Sequence, residues 1–178
     1  MRPSPKPSTG VTLIESLVAL AVLAIMLALA LPSMRGLMER QRTASTINEL
    51  IVAIQLARSI AITRRTVAVI CPSHDGRRCT RGIDWSQGWI VFDAPDRAGQ
   101  PTADSRIEQH VDRGAVPALQ IHASTGRRAL RYQALGFSGG SNLTLRICRD
   151  DTLHARVIVN NTGRPRSETP RRKARCHD

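Results

Sequence analysis

The sequence predicts an α+β protein in which a long N-terminal helix, membrane-spanning in its first half, packs on a mainly antiparallel β-sheet domain. Three observations predict this class. Leu17–Leu31 is an unbroken apolar run, and residues 33–65 carry apolar side chains at steps of three and four. From residue 66 onward, short β-like runs alternate with turn-forming residues.

The first helical segment has the dimensions of a membrane span. At about 1.5 Å per residue, Val11 to Leu31 makes a helix of about 31 Å, close to the thickness of a bilayer's hydrocarbon core. Glu15 is the unusual residue in it, because a carboxylate in a spanning segment costs a few kcal/mol and normally has a partner or a function. A secretory signal peptide, with a cleavage site at Ala28–Ala30, or a plain anchor would leave Glu15 unexplained.

The amphipathic segment 33–65 continues the same helix. Its apolar positions alternate with charged ones, as in a helix with one face against a domain. Pro32 lacks a backbone N–H, so it is expected to bend the helix where it leaves the membrane. The apolar positions are Met34, Leu37, Met38, Ile47, Leu50, Ile51, Ile54, Ala57, Ile60 and Ala61.

The β-rich domain should extend over residues 66–162. Trp85, Trp89 and Phe92 lie close together in sequence and are interpreted as core aromatics rather than as base-stacking residues. Strands are expected at Thr66–Cys71, Trp89–Asp93, Ile107–Val111, Ala118–His122, Ala129–Tyr132, Asn142–Arg149 and Ala155–Asn160.

The charge of the chain argues for an acidic partner. The 178 residues have a formal net charge of +12, and all of the 26 basic residues except Lys6 and Lys173 are arginine. Nucleic acid, anionic lipid and polyanionic sugar are all compatible with this balance. Arginine suits bidentate phosphate contacts, although a GC-rich genome would produce the same bias.

The four cysteines indicate an oxidising compartment and two disulfide bonds. Three pairings are possible, and we favour Cys71 with Cys79 and Cys148 with Cys176. A metal site that uses His74 or His177 is disfavoured because the sequence has no C-x-x-C pair. The histidines are scattered and no Ser/His/Asp or paired-carboxylate arrangement is recognisable, so we expect neither a cofactor, nor a metal, nor a catalytic residue.

The C-terminal segment 163–178 is the most basic part of the chain. With few apolar side chains it should be solvated and mobile, unless a bond from Cys148 to Cys176 makes it a constrained loop. Such a loop could follow a phosphate backbone without reading bases. The basic residues are Arg164, Arg166, Arg171, Arg172, Lys173 and Arg175, against Glu168 and Asp178.

The stretch Gly10–Glu15 resembles the processing site of type IV pilins and of the pseudopilins of type II secretion. The resemblance implies that residues 1–10 are a leader removed after Gly10 by a prepilin peptidase, which leaves Val11 as a methylated N-terminus. Val11 departs from the usual Phe. In that family the glutamate at the position of Glu15 pairs with the N-terminal amine of a neighbouring subunit in the fibre.

Two further features are similar to the GspH/FimT branch of the pilin superfamily. They are the run W-x-x-G-W-x-V-F at Trp85–Phe92, after a cysteine-bounded loop, and the turn Gly163–Arg166 after a late cysteine-containing strand. The resemblance implies the type IV pilin fold. It also implies a minor pilin of the FimT type that binds double-stranded DNA without sequence preference and assists DNA uptake in natural transformation.

In this interpretation Arg164 and Arg166 contact the DNA, and the cations at positions 171, 172, 173 and 175 support them electrostatically. The protein would lie in the inner membrane before assembly, through residues 11–32, and then join other pilin subunits in a periplasmic or extracellular fibre. A structural pseudopilin, a pilin that only primes assembly, and an adhesin for anionic sugars are the alternatives. The sequence leaves open whether arginines at 77–81 and 127–131 join the site.

Overall fold

The N-terminal helix is defined at both ends by local backbone chemistry. The structure, a computed structural model, describes residues 12–114, 119–140 and 142–176, and its helix α1 extends over Leu13–Arg64. The amide of Glu15 donates to Oγ1 of Thr12 at 3.3 Å, which caps the first turn. At the other end Arg65 has φ 52°, and the amide of Thr66 donates to the carbonyl of Ala61 at 3.2 Å. This is the hydrogen bond of a Schellman-type C-cap.

The chain divides into two compact units, the first ending at Arg42 and the second spanning Thr43–Asp178. In the first unit Leu13–Leu29 is an apolar helical stretch with exposed large side chains, such as Leu13 at 79% and Leu29 at 75%. Within the described residues, Gly36–Arg64 is long and apolar enough to cross a membrane. Leu50, Ile54 and Ala57 in this segment are fully buried, so we assign its second half to the domain core.

The second unit contains two four-stranded antiparallel sheets in the described part of the chain. The first has the order β3-β2-β1-β5 and the second the order β4-β6-β7-β8. The strands are β1 Ala68–Pro72, β2 Gly88–Asp93, β3 Ile107–Asp112, β4 Gln120–Ala123, β5 Leu130–Tyr132, β6 Leu143–Arg149, β7 Thr152–Val159 and β8 Pro165–Glu168.

The core of this unit lies between α1 and the sheets. Leu50, Ile54 and Ala57 share one face of the helix through their spacing of three and four. They belong to the same buried cluster as Trp85 and Trp89, both of which are 0% exposed. The interpretation of the tryptophans as core residues is therefore confirmed, and neither indole is accessible to a nucleic-acid base.

Two features of the second sheet differ from the sequence prediction. Strand β7 begins at Thr152 rather than at Ala155, because Asp150 and Asp151 both have positive φ and form a two-residue hairpin turn. Strand β8 was not predicted at all. It lies in the segment that we expected to be a solvated tail or a loop.

Two disulfide bonds hold the ends of the domain's loops, and they are the pairs favoured from the sequence. Cys71 is bonded to Cys79 with a Cα–Cα distance of 5.5 Å, and Cys148 is bonded to Cys176 with a Cα–Cα distance of 5.9 Å. The first bond closes a separation of 8 residues and the second a separation of 28. The second bond therefore attaches the end of the chain to the second sheet.

Candidate nucleic-acid interface

The first part of the C-terminal segment is an edge strand. β8 pairs antiparallel with β7, so that Arg166 lies opposite Ile158 and Glu168 lies opposite Arg156. The segment was expected to be irregular because it has few apolar residues. An edge strand needs backbone hydrogen bonds on one side only, and charged side chains are typical of such strands.

The end of the chain returns to the same sheet beyond β8. The amide of Leu153 donates to the carbonyl of Ala174 at 2.9 Å, and the amide of Cys176 donates to the carbonyl of Asp151 at 2.9 Å. Together with the Cys148–Cys176 bond, these contacts hold residues 174–176 beside the start of β7. Residues 169–173 are thus a loop held at both ends, with exposed side chains at Arg171, Arg172 and Lys173.

The turn that precedes β8 depends on Gly163. Its φ is +77°, and a Cβ built on it would lie 2.5 Å from Cε1 of Tyr132 and 2.6 Å from the carbonyl oxygen of Gly136. Only glycine fits there. The hydroxyl of Tyr132 donates to the carbonyl of Gly163 at 2.7 Å, and Gly163 N–H donates to the carbonyl of Asn160 at 2.9 Å.

The Tyr132 hydroxyl is a stable donor in this turn. Burial raises the pKa of Tyr132 above its usual value, an effect that the positive charges of Arg58 and Arg127 only partly oppose. The phenol therefore stays protonated near neutral pH and keeps its hydrogen bond to Gly163. This contact fixes the backbone immediately before Arg164, whose side chain is exposed.

The two arginines expected to contact DNA have different surroundings. Arg164 is exposed, and its amide donates to Oδ1 of Asn160 at 3.4 Å. The side chain of Arg166 is 60% exposed, and its Nε lies 3.0 Å from Oε1 of Glu168. Exposed ion pairs of this kind contribute only about 0 to 1 kcal/mol, so a phosphate can compete with Glu168.

The arginines left open by the sequence fall into two groups. Arg77, Arg78 and Arg81, in and next to the loop closed by the Cys71–Cys79 bond, have exposed side chains. In contrast, Arg127 donates to the carbonyl of Ser138, and Arg131 donates to the carbonyl of Arg97 at 2.7 Å. Arg127 and Arg131 are thus engaged in holding loops of the domain, whereas Arg128 has an exposed side chain.

Sequence analysis missed two further arginines, Arg146 and Arg156. They lie directly opposite each other on β6 and β7. Both strands alternate between buried and half-buried residues, and the arginines occupy half-buried positions on the face away from the core. The alternation was visible in the sequence, but the pairing of these strands was not.

The residues proposed for processing and fibre assembly are only partly visible. Gly10 and Val11 lie outside the described residues. Glu15 is exposed in the first turn of α1. Across residues 12–114, 119–140 and 142–176, no group of three or more His, Cys, Asp or Glu side chains is arranged to hold a metal ion.

Comparisons with known proteins agree with this geometry. Residues 46–163 match the family model described as type II transport protein GspH, and residues 5–31 match the prokaryotic N-terminal methylation motif. No curated protein sequence matches the chain significantly.

Two solved structures share the fold. A crystal structure of the type IV minor pilin FimU of Pseudomonas aeruginosa has a TM-score of 0.57 at 21% identity, and the match covers 78% of this chain and 97% of that one. A second crystal form of the same minor pilin has a TM-score of 0.54 at 20% identity, with coverage of 75% and 98%. The long helix with an antiparallel sheet domain is therefore the type IV pilin fold.

Proposed function

Because this chain belongs to the GspH family of pilin-like proteins, we propose that it is a minor type IV pilin that binds double-stranded DNA and assists DNA uptake in natural transformation. Membership of the family implies association with other pilin subunits, and the methylation motif implies N-terminal processing. Proteins of this family are structural subunits. The proposal adds a DNA-binding role to that structural one.

The observation that carries the proposal is the anchored C-terminal segment. Exposed cations at 164, 166, 171, 172, 173 and 175 lie on a stretch of chain that β8, the return to β7 and the Cys148–Cys176 bond hold to the sheet. Anchoring lowers the conformational entropy that would be lost when the segment binds. Its side chains are suited to phosphate oxygens rather than to base edges, so binding would be independent of sequence.

The proposal also includes the N-terminal roles. A prepilin peptidase would cut between Gly10 and Val11, and the first helix would hold the subunit in the inner membrane. In the fibre, the Glu15 carboxylate would form an ion pair with the N-terminal amine of a neighbouring subunit. The exposed apolar side chains of Leu13–Leu29 support this role, because exposed apolar patches of that extent mark membrane or protein contacts.

The test is a titration of short duplex DNA into the full chain in neutral detergent micelles at several salt concentrations. We expect a dissociation constant of roughly 10⁻⁴ to 10⁻⁶ M at physiological salt, independent of base sequence. Arg164→Gln with Arg166→Gln should flatten the slope of log K against log[salt] by about 1.8, since each lost phosphate contact removes about 0.9. Arg77→Gln with Arg78→Gln removes the same charge elsewhere and serves as the control.

A purely structural pseudopilin is the second candidate, because the matching family is described as a type II transport protein. It would bind DNA no more tightly than the background set by net charge. Absence of DNA binding by the wild type would favour this candidate. Equal competition by heparin and DNA, with no effect of the tail variant, would favour a general polyanion adhesin.

A further inference from the structure

The outer face of the second sheet is strongly basic. Leu145 and Ile147 of β6, and Ala155 and Val157 of β7, belong to the main core cluster. Successive residues of a strand point to opposite faces, so the residues between them point away from the core. These include Arg146 and Arg156, which the sequence analysis did not assign to any site. We call this surface the basic sheet face.

Arg146 and Arg156 are unusual because they are directly opposed like charges. Residues directly opposite in an antiparallel pair have Cβ atoms about 4.5 to 5.5 Å apart, and like charges there are destabilising. Within the described chain neither guanidinium has a hydrogen bond or an ion pair. An anion between them would remove this repulsion.

The same face continues into the anchored C-terminal segment. Arg166 pairs in register with Ile158, two residues from Arg156 and on the same face. Arg175 forms a bridge with Thr152, at the other end of β7. The arginines therefore extend from the middle of the sheet to its edge, across two strand spacings of about 4.8 Å each.

Among the described outward-pointing residues of β4, β6, β7 and β8, Glu168 is the only acid. It lies opposite Arg156 and forms its ion pair with Arg166 rather than with Arg156. The negative charge on this face is thus held at the edge strand. No acid of the described residues forms an ion pair with Arg146 or Arg156, so an external anion can bind there.

We propose that Arg146 and Arg156 form a second row of phosphate contacts, so that a DNA duplex lies across β6, β7 and β8 rather than along the tail alone. The inference rests on the proposed function for the identity of the polyanion. DNA carries one phosphate per 3.4 Å of axis on each strand, so a surface about 10 Å wide faces several phosphates. Long arginine side chains on adjacent strands can contact neighbouring phosphates of one backbone.

The experiment compares two double variants of the full chain in neutral detergent, with short duplex DNA as the probe. Arg146→Gln with Arg156→Gln should flatten the salt slope by about 1.8. The loss of affinity between 50 and 200 mM salt should then be roughly twelvefold smaller than in the wild type. Arg77→Gln with Arg78→Gln, which removes the same charge from the loop at the first sheet, should leave the slope unchanged.

Two further variants separate a contact from a fold defect. Arg146→Lys with Arg156→Lys keeps the charge, so it should retain most of the wild-type slope. Glu168→Gln removes the acid of this face, so binding should become roughly two- to fivefold tighter, as expected for one exposed charge.

The outcomes distinguish the two proposals. If the wild type binds DNA and the tail variant weakens binding, but the Arg146/Arg156 variant binds like the wild type or like the loop control, this inference is wrong and the proposed function stands. If the wild type does not bind DNA, both are wrong. Dependence on Arg146 and Arg156 without dependence on the tail supports the basic sheet face and places the contact there.

Discussion

Several arginines around the first sheet, such as Arg64 and Arg113, are bound to acceptors inside the protein, whereas Arg146 and Arg156 on the outer face of the second sheet have no such acceptor among the described residues. At the end of α1, Nη1 of Arg64 lies 2.7 Å from Oε1 of Glu108 in β3 and 2.9 Å from Oδ2 of Asp93 in β2, two strands of the first sheet. Arg113, after β3, donates to Oγ1 of Thr46 at 3.2 Å and to the carbonyls of Ser86 and Leu119. These arginines join the helix and loops to the sheet.

The second sheet lacks this arrangement in its described residues. Arg146 and Arg156 oppose each other and neither forms an ion pair within the described residues, while Glu168, which lies opposite Arg156, is paired with Arg166. The arginines that contribute to the net charge of +12 therefore differ in their surroundings between the two sheets. Arginine thus acts as a structural donor where protein acceptors surround it, and the proposed binding groups are arginines that lack such acceptors.

The largest expected effects come from removing the two disulfide bonds, one at each sheet. On the chain-entropy estimate, the separation of 28 residues closed by Cys148–Cys176 corresponds to about 3.6 kcal/mol of unfolding free energy. The separation of 8 closed by Cys71–Cys79 corresponds to about 2.5 kcal/mol. Paired Cys→Ala variants should show these losses in urea unfolding, followed by the fluorescence of Trp85 and Trp89, which are buried in the domain.

The two variants should differ more in DNA binding than in stability. Loss of Cys148–Cys176 frees the end of the segment that carries Arg171, Arg172 and Lys173, so it should weaken binding under conditions where the domain remains folded. Loss of Cys71–Cys79 should leave the salt slope as in the wild type. Equal effects of both variants on the slope would contradict the assignment of the site to the second sheet.

The sequence determined the elements of the fold better than it determined the site. The helix was predictable from apolar spacing, and seven of the strands from β-branched residues between turns. β8 was missed because an edge strand with Pro165 and Arg166 carries no apolar alternation. Its pairing comes from backbone hydrogen bonds to β7, which side-chain patterns do not encode.

The Arg146–Arg156 pair shows a second reason why the site was harder to predict from the sequence than the fold. Each arginine sits in an alternating strand, so its outward orientation could be inferred from the sequence. That the two lie opposite each other depends on register, which the hairpin turn at Asp150 and Asp151 and the shift between Ile147 and Cys148 determine. Register is a property of two strands together, and no single stretch of sequence contains it.

Replacing Arg113, one of the arginines bound inside the protein, should have an effect of intermediate size on stability. Arg113→Ala would leave the Thr46 hydroxyl and two carbonyls without this donor. It should lower the free energy of unfolding by about 1 to 2 kcal/mol. The salt slope of DNA binding should stay unchanged, since burial, which also lowers the pKa of Arg113, removes its charge from the surface. Weaker DNA binding in a variant that is still folded would mean that interior arginines contribute to the site.

The smallest effect, and one of opposite sign, is expected at Arg156. Arg156→Gln removes the repulsion with Arg146, so it should raise the free energy of unfolding by about 0.2 to 1 kcal/mol while it weakens DNA binding. The measurement is urea unfolding at low salt, where repulsion is least screened, repeated at about 1 M salt, where the gain should disappear. A stability gain with loss of binding is the result expected when a residue is kept for a ligand rather than for the fold. Destabilisation at both salt concentrations would instead make Arg156 a packing residue, and the pair would no longer distinguish the second sheet from the first.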